Sequence, residues 1–391
     1  MQSYATDAIK VTTLGLKTFC KFLSANDTDP DQSHQAGIYI PKNAYPILFD
    51  TPGIKGQNKD RNVYVRWSFE EDFFSEVRFI YYGCGTRNEY RMTHTPVFRP
   101  EYTGALFVFV QCSQDEYQAF ILNTDNDINQ YLGAFGLSPS ETNCLIDKGF
   151  AEPVANEKTL ISNFIETLDN ECIEFPNSER MSSEARLICD NVYDHKEYII
   201  SNPDQKLIDW TNVEYNVFKA LEYSRYGQLI TEGFSSVDEF IGLANQVLNR
   251  RKSRAGKSLE HHLAAIFQGN HLSYDSQVVT EGNKRPDFIF PSSEAYHNFD
   301  FPTNKLISLA AKTTCKDRWR QVLNEADRLK NDYKYLCTLQ QGISAQQMDE
   351  MKAEKVILVV PKPYITTYPK EKRDDVWTIG KFINYVKSLG M

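Results

Sequence analysis

Arg285-Pro286-Asp287-Phe288-Ile289-Phe290 decides how this chain is read, together with Ala310-Ala311-Lys312, Lys316-Asp317-Arg318-Trp319-Arg320 and Glu325. Asp287 stands just before Phe288-Ile289-Phe290, a short apolar run that reads as a buried strand. Lys312 closes a second such run, Leu306-Ile307-Ser308-Leu309-Ala310-Ala311. Pairing of the two strands brings Asp287 and Lys312 to one sheet edge. Phosphodiester cleavage needs a hard cation on the phosphate, an activated water and neutralisation of developing charge. Mg²⁺ takes one or two carboxylates, with waters and phosphate oxygens completing its shell. A lysine beside it orients the water or offsets phosphate charge. The stretch therefore predicts a metal-dependent nuclease.

The usual nuclease pattern has an acid two residues before the lysine, and here that position is Ala310. A carboxylate is recovered downstream. Trp319, Val322, Leu323 and Ala326 follow the apolar spacing of a helix. Arg318, Gln321 and Glu325 form a second line, expected to face the site and return Glu325 towards Lys312. Upstream, Leu259, Leu263, Ile266 and Phe267 mark the buried face of another helix, with Glu260 beside it and within reach of a metal or its waters. Asp287 and Glu325 are the expected Mg²⁺ ligands.

The chain resembles the EcoRII-type restriction endonucleases. Gly233 to Ile241, Asn249 to Glu260 (NRRKSRAGKSLE), Thr280 to Phe290 (TEGNKRPDFIF) and Lys312 to Asp327 (KTTCKDRWRQVLNEAD) carry the resemblance. The family's relocated acid matches Glu325, and its active-site tyrosine matches Tyr296. The N-terminal half resembles the family more thinly, through Leu23 to Thr28, His34-Gln35, Tyr39-Ile40-Pro41 and Thr86-Arg87-Asn88-Glu89. The resemblance implies an α/β fold of two parts. A β-rich DNA-binding pseudobarrel, the effector domain, precedes a PD-(D/E)XK nuclease core built around a mixed sheet. The limits read from the sequence are 1–170 for the effector domain, 171–204 for an acidic, irregular linker with Pro176 and Pro203, and 205–391 for the catalytic domain.

Composition sets the outer bounds. The chain of 391 residues is 41% hydrophobic, enough for two buried cores. No apolar run is long enough to span a membrane, and no secretory signal is visible, so a cytoplasmic protein is expected. The eight cysteines are scattered without a CxxC pair, so neither a zinc site nor a disulfide framework is indicated. The net charge of −9 hides an uneven distribution. Residues 250–330 hold 14 Lys/Arg against 9 Asp/Glu, whereas 151–210 hold 5 against 13. Affinity for phosphates follows the local patch rather than the total. The acidic stretch is either a solvated linker face or a segment that lies near the DNA cleft and holds the resting enzyme closed.

Lys316, Asp317 and Arg318 combine donors for guanine with an acceptor for the cytosine amino group, so they suit adjacent G·C pairs. The resemblance implies that this segment reads the half-sites of a five-base CCWGG-like target whose central bases are flipped out. Arg254 and Lys252 are expected at phosphates or in the minor groove. In the N-terminal half, Arg87, Asn88, Glu89 and Arg91 follow a strand, and Lys21, Asn26, His34 and Gln35 supply a second polar loop. The resemblance implies that these loops grip a second duplex. Two family lysines are missing there, their places taken by Gly85 and Tyr90. Gly256-Lys257-Ser258 is no P-loop, because Arg251 stands where the first glycine belongs. His261, His262 and His271 lack partners at metal spacing.

The expected function is a type II restriction endonuclease that uses Mg²⁺, works as a homodimer through its catalytic domain, and needs two copies of its site. The alternatives are a nuclease of altered or modification-dependent specificity, and an inactive DNA-binding regulator.

Overall fold

Runs rich in aromatic and β-branched residues build the N-terminal half, which the computed structural model describes together with the rest of the chain over residues 4–29, 37–97, 99–146, 155–193 and 195–391. Helix α1 (Tyr4–Leu14) leads into β1 (Lys17–Phe22), α2 (Ala25–Thr28) and β2 (Ile38–Ile40). β3 (Lys59–Phe69) and β4 (Glu71–Tyr82) form a long antiparallel hairpin, and β5 (Glu89–Thr93) pairs on β4. β6 (Leu106–Gln111), β7 (Tyr117–Leu122), α3 (Asp125–Phe135) and β8 (Cys144–Leu145) complete this half. The sheet order is β2-β5-β4-β3-β7-β6-β1-β8, with only β3 and β7 parallel. The Lys21 ammonium on β1 donates to the Tyr39 carbonyl on β2 at 3.2 Å. These strands lie towards opposite ends of the sheet, so it curls into an open barrel.

Period-two alternation fills both faces. Phe107 and Phe109 on β6 join Trp67 and Phe79 in one core. Val108 and Val110 face the other way, against Ala5 and Ala8 of α1 and Ile128 and Tyr131 of α3. α3 is thereby held on the outside of the barrel, facing the C-terminal half.

The C-terminal half opens with α4 (Ala155–Asn170), α5 (Ser178–Val192), α6 (Tyr198–Ser201), α7 (Pro203–Glu232) and α8 (Val237–Gly269). The stretch expected to be an irregular linker is largely helical. Its prolines begin helices rather than break them: Pro176 precedes the Asn177 cap of α5, and Pro203 opens α7, where the missing N–H costs nothing. Ile161, Phe164, Met181, Ala185 and Ile188 share one core with α7, α8 and the strands that follow. The acids of this region are engaged locally, as in Asp169 with Arg225 at 2.6 Å and Asp190 with Lys206 at 2.5 Å.

The second sheet consists of β9 (Asp275–Ser276), β10 (Phe288–Phe290), β11 (Ile307–Lys312), β12 (Lys334–Thr338), β13 (Val356–Val360) and β14 (Trp377–Thr378). α9 (Ser293–His297), α10 (Ala345–Ala353) and α11 (Ile379–Ser388) connect and flank it. The order is β14-β13-β12-β11-β10-β9; β10 pairs antiparallel with both β9 and β11, and β11 to β14 are parallel. The sheet is therefore mixed. Leu259, Leu263, Ile266 and Phe267 of α8 are all buried against it, each worth roughly 1.5–3 kcal/mol. No helix among the described residues is long and apolar enough to cross a membrane.

The two halves touch backbone to backbone. Gly104 has φ +80°, and a Cβ there would lie 2.0 Å from the Gly342 carbonyl oxygen. Gln340 Nε2 donates to the Gly104 carbonyl at 2.7 Å.

Candidate active site

β10 and β11 pair with Phe288 opposite Leu309, which sets Asp287 beside the end of β11. Asp287 Oδ2 accepts the Ala311 N–H at 2.7 Å and lies 3.4 Å from the Lys312 ammonium. Lys312 Nζ also lies 3.9 Å from Glu325 Oε1. One ammonium thus faces two carboxylates. Ala310, in the position of the missing acid, is fully buried inside β11.

Glu325 arrives by a different route from the one expected. Arg318–Asn324 is a 3₁₀ helix rather than an α-helix, and Glu325 is its C-cap. At three residues per turn, Trp319, Val322 and Glu325 share one side. Trp319 and Val322 are buried, whereas Gln321 is exposed, so the expected line of Arg318, Gln321 and Glu325 does not form. The short tight winding is tied at both ends: Asp125 accepts N–H groups at its start, and Thr280 Oγ1 donates to the Glu325 carbonyl at 2.7 Å.

Burial pushes the Glu325 carboxyl up to about 7, with Lys312 pulling it down and Asp287 adding to the rise. Its Oε2 is buried and has no hydrogen-bond partner. Glu260 on α8 joins the group through Gln277, whose Nε2 donates to Glu260 Oε2 at 3.0 Å and to Asp287 Oδ1 at 3.1 Å. Burial raises the Glu260 carboxyl; Lys257, 2.9 Å away, opposes that rise, and Asp287 adds to it.

The oxygen donors suit a hard cation. Asp287 and Glu325 supply carboxylates, and the unpartnered Oε2 of Glu325 is the buried polar atom that a cation would satisfy. Among the described residues no three His, Cys, Asp or Glu side chains gather into a ready metal cage. Mg²⁺ does not require one, because waters and phosphate oxygens fill most of its shell.

Tyr296 is not brought to these carboxylates. It is buried with Ile289, Ala326 and Leu329 in a satellite cluster, and its hydroxyl donates to Glu281 at 2.7 Å.

Lys316, Asp317 and Arg318 face the N-terminal half. Asp125, in the first turn of α3, accepts their backbone N–H groups at 3.0, 2.8 and 2.9 Å. Lys316 Nζ donates to the carbonyls of Thr103 at 2.7 Å and Glu101 at 3.1 Å. Burial pushes the Lys316 ammonium down to about 7. Burial also raises Asp317 to about 6, and its hydrogen bond and repulsion with Asp125 add to the rise.

Arg254, expected at DNA, is instead buried as a packing residue. Its guanidinium sits 3.9 Å from the Tyr215 ring centroid, 4.3 Å from that of Phe218 and 3.7 Å from Glu214. It falls on the side of α8 that meets α7. Lys252 is exposed.

In the N-terminal half, Arg87 and Asn88 are exposed on the β4–β5 loop, with Arg87 over the Tyr82 ring at 5.1 Å. Glu89 pairs with Arg91 at 3.2 Å. Asn26 is exposed on α2, but Lys21 is buried and paired with Asp27 at 2.8 Å, so its charge is not presented. His34 and Gln35 lie outside the described residues. Lys55 escaped sequence reasoning: its ammonium donates to the carbonyls of Gly85 at 2.8 Å and Arg87 at 2.5 Å, fixing the loop and returning a charge to it. Asp125 and Gln277 escaped too, because only tertiary contacts give them a role.

A mixed α/β sheet with acid, lysine and acid at one edge defines a nuclease of the restriction-endonuclease fold. The families described as "EcoRII C terminal" and "Restriction endonuclease EcoRII, N-terminal" match residues 218–383 and 12–142. The type II restriction enzyme EcoRII of Escherichia coli is 37% identical over 404 residues, covering 95% of this chain and 94% of that one. The type II restriction enzyme SsoII of Shigella sonnei is 23% identical over 203 residues, covering 44% of this chain and 66% of that one. A solved structure of metal-depleted Ecl18kI with uncleaved DNA is similar at TM-score 0.46 and 22% identity, covering 60% of this chain and 83% of that one. The chain belongs to the EcoRII family of type II restriction enzymes and is a site-specific endonuclease.

Proposed function

We propose that this endonuclease cuts both strands of a CCWGG-like site in a Mg²⁺-dependent reaction, and that binding a second copy of the site releases it from a closed state. The observation that carries the cutting site is the convergence of Asp287 and Glu325 on the Lys312 ammonium. Asp287 and Glu325 would hold the cation, and Glu260 would hold one of its waters. When bound, a divalent cation offsets phosphate charge and lowers the pKa of a water. Lys312 orients that water and balances the two acids beside it. Tyr296 stays in the reading as a residue of the surrounding shell.

Lys316, Asp317 and Arg318 are the proposed base readers, with Lys252 at phosphates. Their backbone bonds to Asp125 of α3, and the buried Lys316 ammonium on the Thr103 carbonyl, support a closed resting state. Arg87, Asn88, Glu89, Arg91 and Asn26 are the proposed effector contacts. A homodimer is favoured by a stripe of apolar residues on the projecting part of α8. Val237, Ile241, Ala244 and Leu248 recur at helical spacing there, and Val237, Ile241 and Leu248 are exposed. Each protomer would cut one strand. A cytoplasmic location belongs to the same reading.

Plasmid cleavage tests the proposal. Wild-type protein with Mg²⁺ is expected to cut, Lys312→Ala to fail, and the sequenced ends to give site and stagger. No cutting by wild type, or undiminished cutting by Lys312→Ala, refutes it.

A further inference from the structure

Gln277 follows β9 in a conformation that a glutamine rarely adopts, with φ +54°. Left-handed backbone at a residue other than glycine costs of order 1 kcal/mol, and such strain clusters at functional sites. Here the strain has a visible result. The Gln277 N–H still bonds to the Asp287 carbonyl at 3.2 Å, while its side chain turns in between two acids. A carboxamide nitrogen has two hydrogens, one for each carboxylate, and Nε2 lies 3.0 Å from Glu260 Oε2 and 3.1 Å from Asp287 Oδ1.

Without that donor, Glu260 and Asp287 repel each other. Lys257 holds Glu260 by the same Oε2 from the solvent side, and its own side chain is nearly half exposed. An exposed pair of this kind is weak. The Gln277 bridge is therefore the firmer polar restraint on the Glu260 carboxylate.

We propose that Gln277 is a positioning residue of the cleavage site, bridging Asp287 and Glu260 so that both carboxylates face the cation together. The inference rests on the metal-dependent reading above. Outer contacts that orient metal-binding carboxylates typically change affinity by roughly 10–100-fold.

The test is a Mn²⁺ titration of the DNA-free full chain, followed by electron paramagnetic resonance, with thermal unfolding alongside. Gln277→Gly removes the amide and relieves the positive φ, so its unfolding temperature without metal should not fall. Its Mn²⁺ affinity should drop at least about tenfold. In a Glu260→Ala background the same substitution should cost clearly less, because part of the effect runs through Glu260. Equal Mn²⁺ affinity of Gln277→Gly and wild type overturns the inference, as does a full additional loss in the Glu260→Ala background. A wild-type chain that binds no Mn²⁺ overturns the metal reading itself, and the inference with it.

Discussion

The Asp125 carboxylate accepts the backbone N–H of Lys316 at 3.0 Å, joining the first turn of α3 to the start of the segment proposed to read bases. The same carboxylate takes the N–H groups of Asp317 and Arg318, at 2.8 and 2.9 Å. Burial alone would raise this acid, but the hydrogen bonds it receives lower it, so it docks as an anion. An anion cupped by three successive N–H groups occupies a place that suits a phosphate.

Asp125→Ala should therefore open the enzyme. It strands buried N–H donors, each worth roughly 1–3 kcal/mol when unsatisfied. About 1.4 kcal/mol already shifts a closed-to-open equilibrium tenfold. Cleavage of a plasmid with one site, without added effector duplex, is expected to rise about tenfold or more. An unchanged rate would mean that these contacts do not limit cutting.

The Asp125 contact is not legible in the sequence, whereas the strands beside Asp287 and Lys312 are. Phe288-Ile289-Phe290 and the run ending at Lys312 announce themselves by apolar patterning, and pairing then fixes both side chains. Glu325 is legible from the apolar spacing downstream of Lys312 and from the family resemblance, but its path is not, because apolar residues at i and i+3 serve a 3₁₀ turn as well as an α-helix. The acidic segment after residue 170 has the composition of a linker, yet its acids pair with Arg180, Lys206 and Arg250 on the surrounding helices. Asp125 and Gln277 act through partners distant in the chain or through a backbone angle. Neither leaves a periodic signal.

Glu325 should trade stability for function. Its folded value of about 7 lies above the ordinary 4.5. A raised carboxyl contributes stability that is fully present below the unfolded value and is lost as pH rises through the folded one. The metal-free protein should thus lose stability between about pH 4.5 and 7. Glu325→Gln should flatten that slope and be more stable at pH 8 by ~2 kcal/mol, while failing to cut DNA. Urea unfolding in chelator measures this. A variant no more stable than wild type at pH 8 removes the strained-acid account.

Arg254 and Lys252 should separate cleanly. Arg254 is stacked on Tyr215 and Phe218 and paired with Glu214, which is wholly buried. Arg254→Ala leaves that acid with less compensation and should cost roughly 3–5 kcal/mol of folding stability. Lys252→Ala should leave stability alone and reduce the salt dependence of DNA binding by about one unit of log–log slope. Chemical denaturation and anisotropy at several salt concentrations distinguish them. A stable Arg254→Ala with a reduced salt slope would return Arg254 to the DNA.

Gly104 offers a test of closure that leaves the Asp125 contact in place. A Cβ at this position lies 2.0 Å from the Gly342 carbonyl oxygen, a backbone atom that cannot swing aside. It also sits at φ +80°, so Gly104→Ala carries backbone strain whether the halves are together or apart. The clash, by contrast, exists only when they are together. The strain should lower the unfolding temperature, and the clash should raise cutting of single-site DNA. Gly85→Ala is the control, since Gly85 has φ +63° with nothing near its Cβ. It should lower stability in the same way without raising single-site cutting. If both variants cut single-site DNA as wild type does, contact between Gly104 and Gly342 is not part of what holds the enzyme closed.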